Sequence, residues 1–269
     1  MEQPSARSDR GSWPVVLVAL LFAISALVLV LKDGGNDAPT RPSAAPVKAA
    51  TLKSLPLSST MTTIKTAPKD PRPTKTPKGT VVHPQRMTAL YDEPDGTAFG
   101  KVGPKQFGDA WFPVITRNRD WVQVLLPSKP NGSTGWIRSA DLTEAHSPYV
   151  IRVHLGARSL ELVQDGELIG TWTVAVGASG TPTPVGRTFV LGQIVDDKQP
   201  FSPVILPLGT HSDTLDSYGG GPGTVALHGW TDPAVFGKAI SHGCVRVPDD
   251  ALALLRTVPI GTPVIVDED

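Results

Sequence analysis

The run SHGCVR, Ser241 to Arg246, together with His228 at the end of TVALHG, holds the residues best suited to chemistry. A cysteine thiol attacks carbonyl carbon effectively only as thiolate, and a nearby imidazole removes its proton or holds it as an ion pair. Two histidines are in range. His242 lies two residues before Cys244, while His228 lies 16 before it, a separation that two neighbouring segments joined by a loop bridge in space. Gly243 lets the chain turn sharply and keeps a side chain away from the sulfur. Backbone N–H groups around Cys244 are then candidates for holding an oxyanion. In an extended segment Arg246 points to the same side as Cys244 and is a candidate for binding a carboxylate. Tyr218 and the glycine run SYGGGPG read as a loop able to cover the site, and Trp230 follows the His228–Gly229 pair at its rim.

Each of these residues has a plainer reading. Most free cysteines are small buried hydrophobes, and Cys244 is the only cysteine of the chain. A lone histidine at a strand end is ordinarily structural. Arg246 can be a surface charge or a structural ion pair, and Tyr218 and Trp230 can be packing residues. His242 contacts substrate, tunes the thiolate or holds the loop. A zinc site on His228, His242 and Cys244 has suitable ligand types, yet the spacing matches no paired motif and no second cysteine or ligating carboxylate accompanies it. GASG and GGGPG lack the Lys-Ser/Thr ending of a phosphate loop. His83, His146, His154 and His211 have no partner pattern and read as structural or exposed. For Cys244, His228 and Arg246 the joint pattern outweighs the plain reading, while for Tyr218 and Trp230 packing is the favoured one.

The elements that must position these residues are mainly strands. Residues 149–269 contain YVIRVHL, SLELVQDGELIGTWTVAVG, TFVLGQIV, GTVALHG and TPVIVDE, joined by Gly/Pro turns, with QDGEL as a hairpin turn. PDDALALLRTV, Pro248 to Val258, spaces Ala251, Leu252, Leu254 and Leu255 as one short helix behind an acidic first turn. Residues 81–145 show short alternating runs, Trp121, Gln123 and Leu125 against Val122, Val124 and Leu126, which predict a small all-β barrel. Residues 32–80 are rich in Pro, Thr, Ser, Ala and Lys and poor in aromatics, a composition read as an extended linker. Val15 to Leu31 runs for 17 residues without a charge, enough to cross a bilayer, and no small-residue cleavage site follows it. It is expected to be an uncleaved anchor behind a cytoplasmic tail of residues 1–14. The balance of 25 basic and 25 acidic residues gives no reason to expect a nucleic-acid partner. One cysteine excludes an internal disulfide.

HG followed by SHGCVR resembles the catalytic signature of the L,D-transpeptidase family. VGASGTPTPVGRTFVL is similar to that family's TPTPxGxF turn, and VPIGTPVIV to its closing strand, so the resemblance spans about residues 150–267. It implies a β-sandwich-like catalytic domain in which Cys244 is the nucleophile and His228 its base. Ser241, His242 and Gly243 fall on the signature's surrounding positions. It further implies attack on a peptidoglycan tetrapeptide stem, release of D-alanine, and transfer of the thioester to the amine of a second stem, with no metal, nucleotide or other cofactor. That chemistry places the catalytic domain outside the membrane, in the cell wall space. LYDEPDG with WVQV and GWIRSADL resembles a bacterial Src-homology-3-like domain, which implies a wall-binding or scaffolding module. Two rivals stand beside this reading: an L,D-carboxypeptidase or amine-attaching enzyme using the same thioester, and a non-catalytic wall-binding protein.

Overall fold

The structure, a computed structural model, describes residues 47–195, 198–218 and 221–269. The expected tail and anchor of residues 1–31 lie outside the described residues. Among the described residues no helix is long and apolar enough to cross a membrane. The chain is mainly β.

The first seven strands are β1 (Thr80–Pro84), β2 (Thr88–Tyr91), β3 (Ala98–Val102), β4 (Phe112–Asn118), β5 (Trp121–Leu125), β6 (Thr134–Arg138) and β7 (Leu142–His146). They form one antiparallel sheet in the order β3-β2-β6-β5-β4-β1-β7. Val82, Leu90, Val102, Phe112, Val122, Val124 and Ile137 gather into its core. The alternation in β5 does not separate a wet face from a dry one, because all five of its residues are buried. Val122 and Val124 face the main core, while Trp121 packs with Tyr91, Leu52 and Leu55 in a second cluster.

That second cluster corrects the linker. Residues 47–79, inside the expected tether of 32–80, are a strap laid along the sheet and include a short helix, α1 (Ala49–Ser54). Composition alone argued for a solvated chain, since the segment has few apolar residues to offset its lost entropy. Partners from the rest of the protein change the balance. Ile64 and Ala67 enter the sheet's core. The strap's backbone borrows unpaired groups from the sheet: Ser58 N–H to Lys101 C=O at 2.8 Å, Lys129 N–H to Thr62 C=O at 2.9 Å, and Thr134 N–H to Pro68 C=O at 2.7 Å. Extended, proline-rich backbone suits this role because it already has strand-like dihedrals.

The strap also reaches the second half of the chain. Asp70 accepts two hydrogen bonds from Arg187, from Nε at 2.8 Å and Nη2 at 2.6 Å, and Arg187 Nη1 donates to Lys75 C=O at 2.6 Å. Both side chains are 2% exposed. The main cores of the two halves are distinct, but contacts cross the expected division at residues 145–149. Phe189 and Leu191 belong to the core of the first sheet, Ser147 bonds Thr262 through their hydroxyls at 2.7 Å, and residues Ser43–Asp269 group as one unit.

The second half comprises β8 (Tyr149–His154), β9 (Ser159–Gln164), β10 (Glu167–Thr173), β11 (Val176–Gly177), β12 (Gly186–Phe189), β13 (Ile194–Val195), β14 (Val204–His211), β15 (Thr224–Gly229), β16 (Ala239–Ser241), β17 (Val245–Val247), α2 (Asp249–Leu255) and β18 (Pro263–Asp267). One sheet runs β10-β9-β8-β18-β12 and another β13-β14-β15-β17, with β11 and β16 paired separately. Ile151, Val153, Leu160 and Leu162 from the first meet Leu206, Val225, Leu227, Val245 and Val247 from the second in a single core. Helix α2 contributes Ala251, Leu252 and Leu255 to that core, while Leu254, the fourth apolar residue of the expected spacing, is exposed. The β9–β10 hairpin turns at Asp165 and Gly166, both at positive φ (50° and 87°), as expected for a tight primed turn.

Asp70→Ala should leave the Arg187 guanidinium buried without a counter-charge, costing about 3–5 kcal/mol in urea unfolding of the purified chain. Replacing both partners together by Leu and Met should recover most of that loss.

Candidate active site

The parallel ladder between β15 and β17 sets the site. Leu227 pairs with Val245, His228 with Arg246 and Gly229 with Val247. Residues paired in register share a face of the sheet, and side chains alternate along each strand. Leu227, Val245 and Val247 therefore point into the core, and His228 and Arg246 point to the opposite face. Cys244, immediately before β17, lies two residues ahead of Arg246, and strand alternation carried back from Arg246 sets it toward that same face. The imidazole and thiol are not hydrogen-bonded to one another. Such contacts are often long in a free enzyme and close when substrate arrives.

His228 is 7% exposed, packed edge-on to Phe201 with ring centroids 5.1 Å apart and beside Trp230 at 6.0 Å. Its Nδ1 lies 2.7 Å from the Gly229 carbonyl, a contact that requires the proton on Nδ1 and leaves Nε2 with its lone pair. Burial lowers its pKa, the Gly229 bond works against that fall, and the Arg246 charge adds to it. Neutral imidazole is the favoured resting form. Cys244 as a residue is partly exposed. Burial pushes its pKa up, opposed by a backbone hydrogen bond from Ala226 and the charge of Arg246. A resting thiol beside a neutral imidazole follows, rather than a standing ion pair.

Arg246 lies with its guanidinium carbon 3.6 Å from the centre of the Trp230 ring, a cation–π contact that fixes its direction. Its backbone is held from the other side by Ala175, through bonds of 3.0 and 2.8 Å. Nε of Arg246 is buried without a partner. Burial lowers its pKa, with Tyr218 and Cys244 acting in the opposite sense.

The turn before Cys244 is built by hydroxyls. Gly243 has φ 116°, a conformation that L side chains rarely adopt. Ser241, 2% exposed, donates through Oγ to Cys244 C=O at 2.5 Å and accepts from Gly243 N–H at 3.1 Å. The Gly243 N–H is thus occupied, which removes it from the backbone donors expected to meet an oxyanion. Thr183 donates to Gly243 C=O at 2.8 Å and accepts from Gly177 N–H at 2.9 Å. Thr181 donates to Ser241 C=O at 2.9 Å. These threonines belong to the TPTP stretch, which the sequence marked as a motif without assigning roles to its members.

His242 is exposed and stacks on Tyr218, ring centroids 4.9 Å apart at 27°. The structure therefore brings Cys244, His228, Arg246 and Trp230 to one place, sets Tyr218 with His242 beside them, and makes Ser241 and Gly243 the frame of the turn. Gly229 supplies the carbonyl that orients His228, and its own N–H donates to Ser202 Oγ at 2.8 Å. Ser202 and Phe201 had no signal in the sequence, because they lie on a separate segment with no motif. Among the described residues no group of three His, Cys, Asp or Glu residues is arranged to hold a metal.

Comparison with known proteins identifies the family. The YkuD family, the L,D-transpeptidase catalytic domain, matches residues 148–266. YkuD of Bacillus subtilis (strain 168), named an L,D-transpeptidase, is 33% identical over 121 residues, covering 45% of this chain and 66% of YkuD. The matched region is thus slightly less than two thirds of that relative. YqjB of the same organism, also named an L,D-transpeptidase, is 30% identical over 132 residues, covering 45% of this chain and 72% of YqjB. The solved catalytic domain of an Enterococcus faecium L,D-transpeptidase is 26% identical, covering 44% of this chain and 96% of that one, at a TM-score of 0.34. A TM-score of that size adds nothing to the sequence match. The chain belongs to the L,D-transpeptidase family.

Two outcomes test the site. Thr183→Val should strand the Gly243 carbonyl and the Gly177 N–H, costing about 1–3 kcal/mol per group in thermal or urea unfolding. Alkylation of Cys244 by iodoacetamide, followed by mass spectrometry across pH, should accelerate through the alkaline range with a midpoint above that of free cysteine. A rate that stays level into the acidic range would instead reveal a pre-formed thiolate.

Proposed function

We propose that the chain is a peptidoglycan L,D-transpeptidase working through a Cys244 thioester. What carries the reading is the β15–β17 register, which sets Cys244, His228 and Arg246 on one face, with His228 Nδ1 committed to Gly229 so that Nε2 is free to act as base. As Cys244 Sγ bonds to the carbonyl carbon between the third residue of a tetrapeptide stem and its terminal D-alanine, its proton passes to His228 Nε2. The C–N bond then breaks, and the imidazolium returns the proton to the departing D-alanine amine. An amine of a second stem attacks the thioester, gives its proton to His228, and leaves an amide cross-link with the thiol restored. The depressed pKa of His228 and the raised pKa of Cys244 suit proton transfer concerted with attack. Arg246 is placed to hold a stem carboxylate, and the Tyr218–His242 pair to contact the donor at the mouth of the site. The seven-stranded sheet is read as a Src-homology-3-like module and residues 15–31 as a membrane anchor, which would put the catalytic half in the cell wall space.

The test is incubation of the purified chain with disaccharide-tetrapeptide, resolving cross-linked dimer from trimmed tripeptide by mass spectrometry. Dimer is expected, with D-alanine released in equal amount. Cys244→Ala should abolish it, and His228→Gln should slow it about 10²–10⁴-fold. Tripeptide alone would make the enzyme a carboxypeptidase, and full cross-linking by Cys244→Ala would remove the thioester mechanism.

A further inference from the structure

The strap carries a feature that the active site does not use. Between Val47 and Thr80 there are seven lysines and arginines and one acid, Asp70, in a chain whose 25 basic and 25 acidic residues balance as a whole. Asp70 is buried against Arg187, so the outward face of the strap is cationic throughout. A turn closed by Lys75 N–H to Arg72 C=O at 3.0 Å brings the ends of the PRPTK segment together. Arg72, Lys75 and Lys78 then line one cavity of about 340 Å³ between the strap and β4, joined by Arg117 and the hydroxyl-bearing Thr76, Thr80 and Thr116. No carboxylate lines this recess. Arg117 is shared with Glu144 at 2.6 Å and Arg187 with Asp70, which leaves Arg72, Lys75 and Lys78 exposed and uncompensated. A second cavity, of about 600 Å³, shares Thr76, Pro77 and Lys78 with the first and continues past Arg152, with Asp165 at its wall.

We propose that this cleft binds a linear polyanion whose charges are phosphodiesters. Three converging cations with threonine hydroxyls among them match tetrahedral, multiply accepting anions. Two recesses meeting at Thr76–Lys78 form a track, which fits a chain running across the strap better than a flat lipid surface or a single phosphate. Charges gathered around a concave recess attract such a chain more strongly than the same charges spread over a surface. The consequence is retention of the enzyme along an anionic polymer, independent of the chemistry at Cys244.

The test uses the full-length chain and linear poly(glycerol phosphate) as probe, with neutral dextran, free glycerol phosphate and phosphatidylglycerol-containing vesicles as comparisons. Saturable polymer binding that weakens with salt is expected, far tighter than that of free glycerol phosphate and absent with dextran. The triple variant R72A/K75A/K78A should lose affinity about tenfold or more. K105A/K238A/R256A removes the same charge elsewhere and should lose less than about threefold. Unchanged melting temperature and Cys244 alkylation in both variants would show that the fold is intact. Equal losses in the two triples, absence of polymer binding by the native chain, or a cleft variant that loses vesicle binding alone would each overturn the proposal.

Discussion

The site depends on one parallel ladder. Pairing of His228 with Arg246 and Leu227 with Val245 divides each strand into a core face and a site face, and the two assignments cannot be changed separately. A slip of one residue in β17 would turn Val245 and Val247 out of the core and Cys244 into it, and a slip in β15 would do the same to Leu227 and His228. The apolar burial that holds the domain together is therefore also what orients the thiol. Helix α2 follows β17 after a single residue, Pro248, and packs Ala251, Leu252 and Leu255 into the same core, which secures the strand from its C-terminal end.

On the other side of Cys244, the chain turns at Gly243 with φ 116°. Ser241, Thr181 and Thr183 brace that turn with hydroxyls bonded to the backbone carbonyls of Cys244, Ser241 and Gly243. A hydroxyl both donates and accepts, so Ser241 and Thr183 each satisfy two backbone groups. Burial makes these bonds important, since each group would otherwise be desolvated without compensation.

The strap shows the opposite situation, a segment ordered by what surrounds it. Its proline and lysine content denies it a core of its own, and the sheet edges, the Ile64 pocket and the Asp70–Arg187 pair supply what it lacks. Burying that pair is costly in itself, so its value lies in fixing where the strap crosses the second half of the chain. The same pairing removes the strap's one negative charge from its outer surface.

Much of the catalytic half was legible in residue patterns, for local reasons. The α2 spacing, the Asp165–Gly166 turn and the neighbourhood of Gly243 and Cys244 are short-range features, and short-range sterics and periodicity determine them. The Cys244, His228 and Arg246 combination was readable because its residue types are chemically uncommon together. Patterning failed where the partner lay far away. Ser202 and Phe201 act on Gly229 and His228 from another segment, β5 is covered on both faces, and residues 47–79 of the supposed linker form a packed strap. A sequence records what each residue prefers alone, whereas burial, hydrogen-bond partners and shifted pKa values belong to pairs. Those pairs exist only once distant segments have been brought together by the fold.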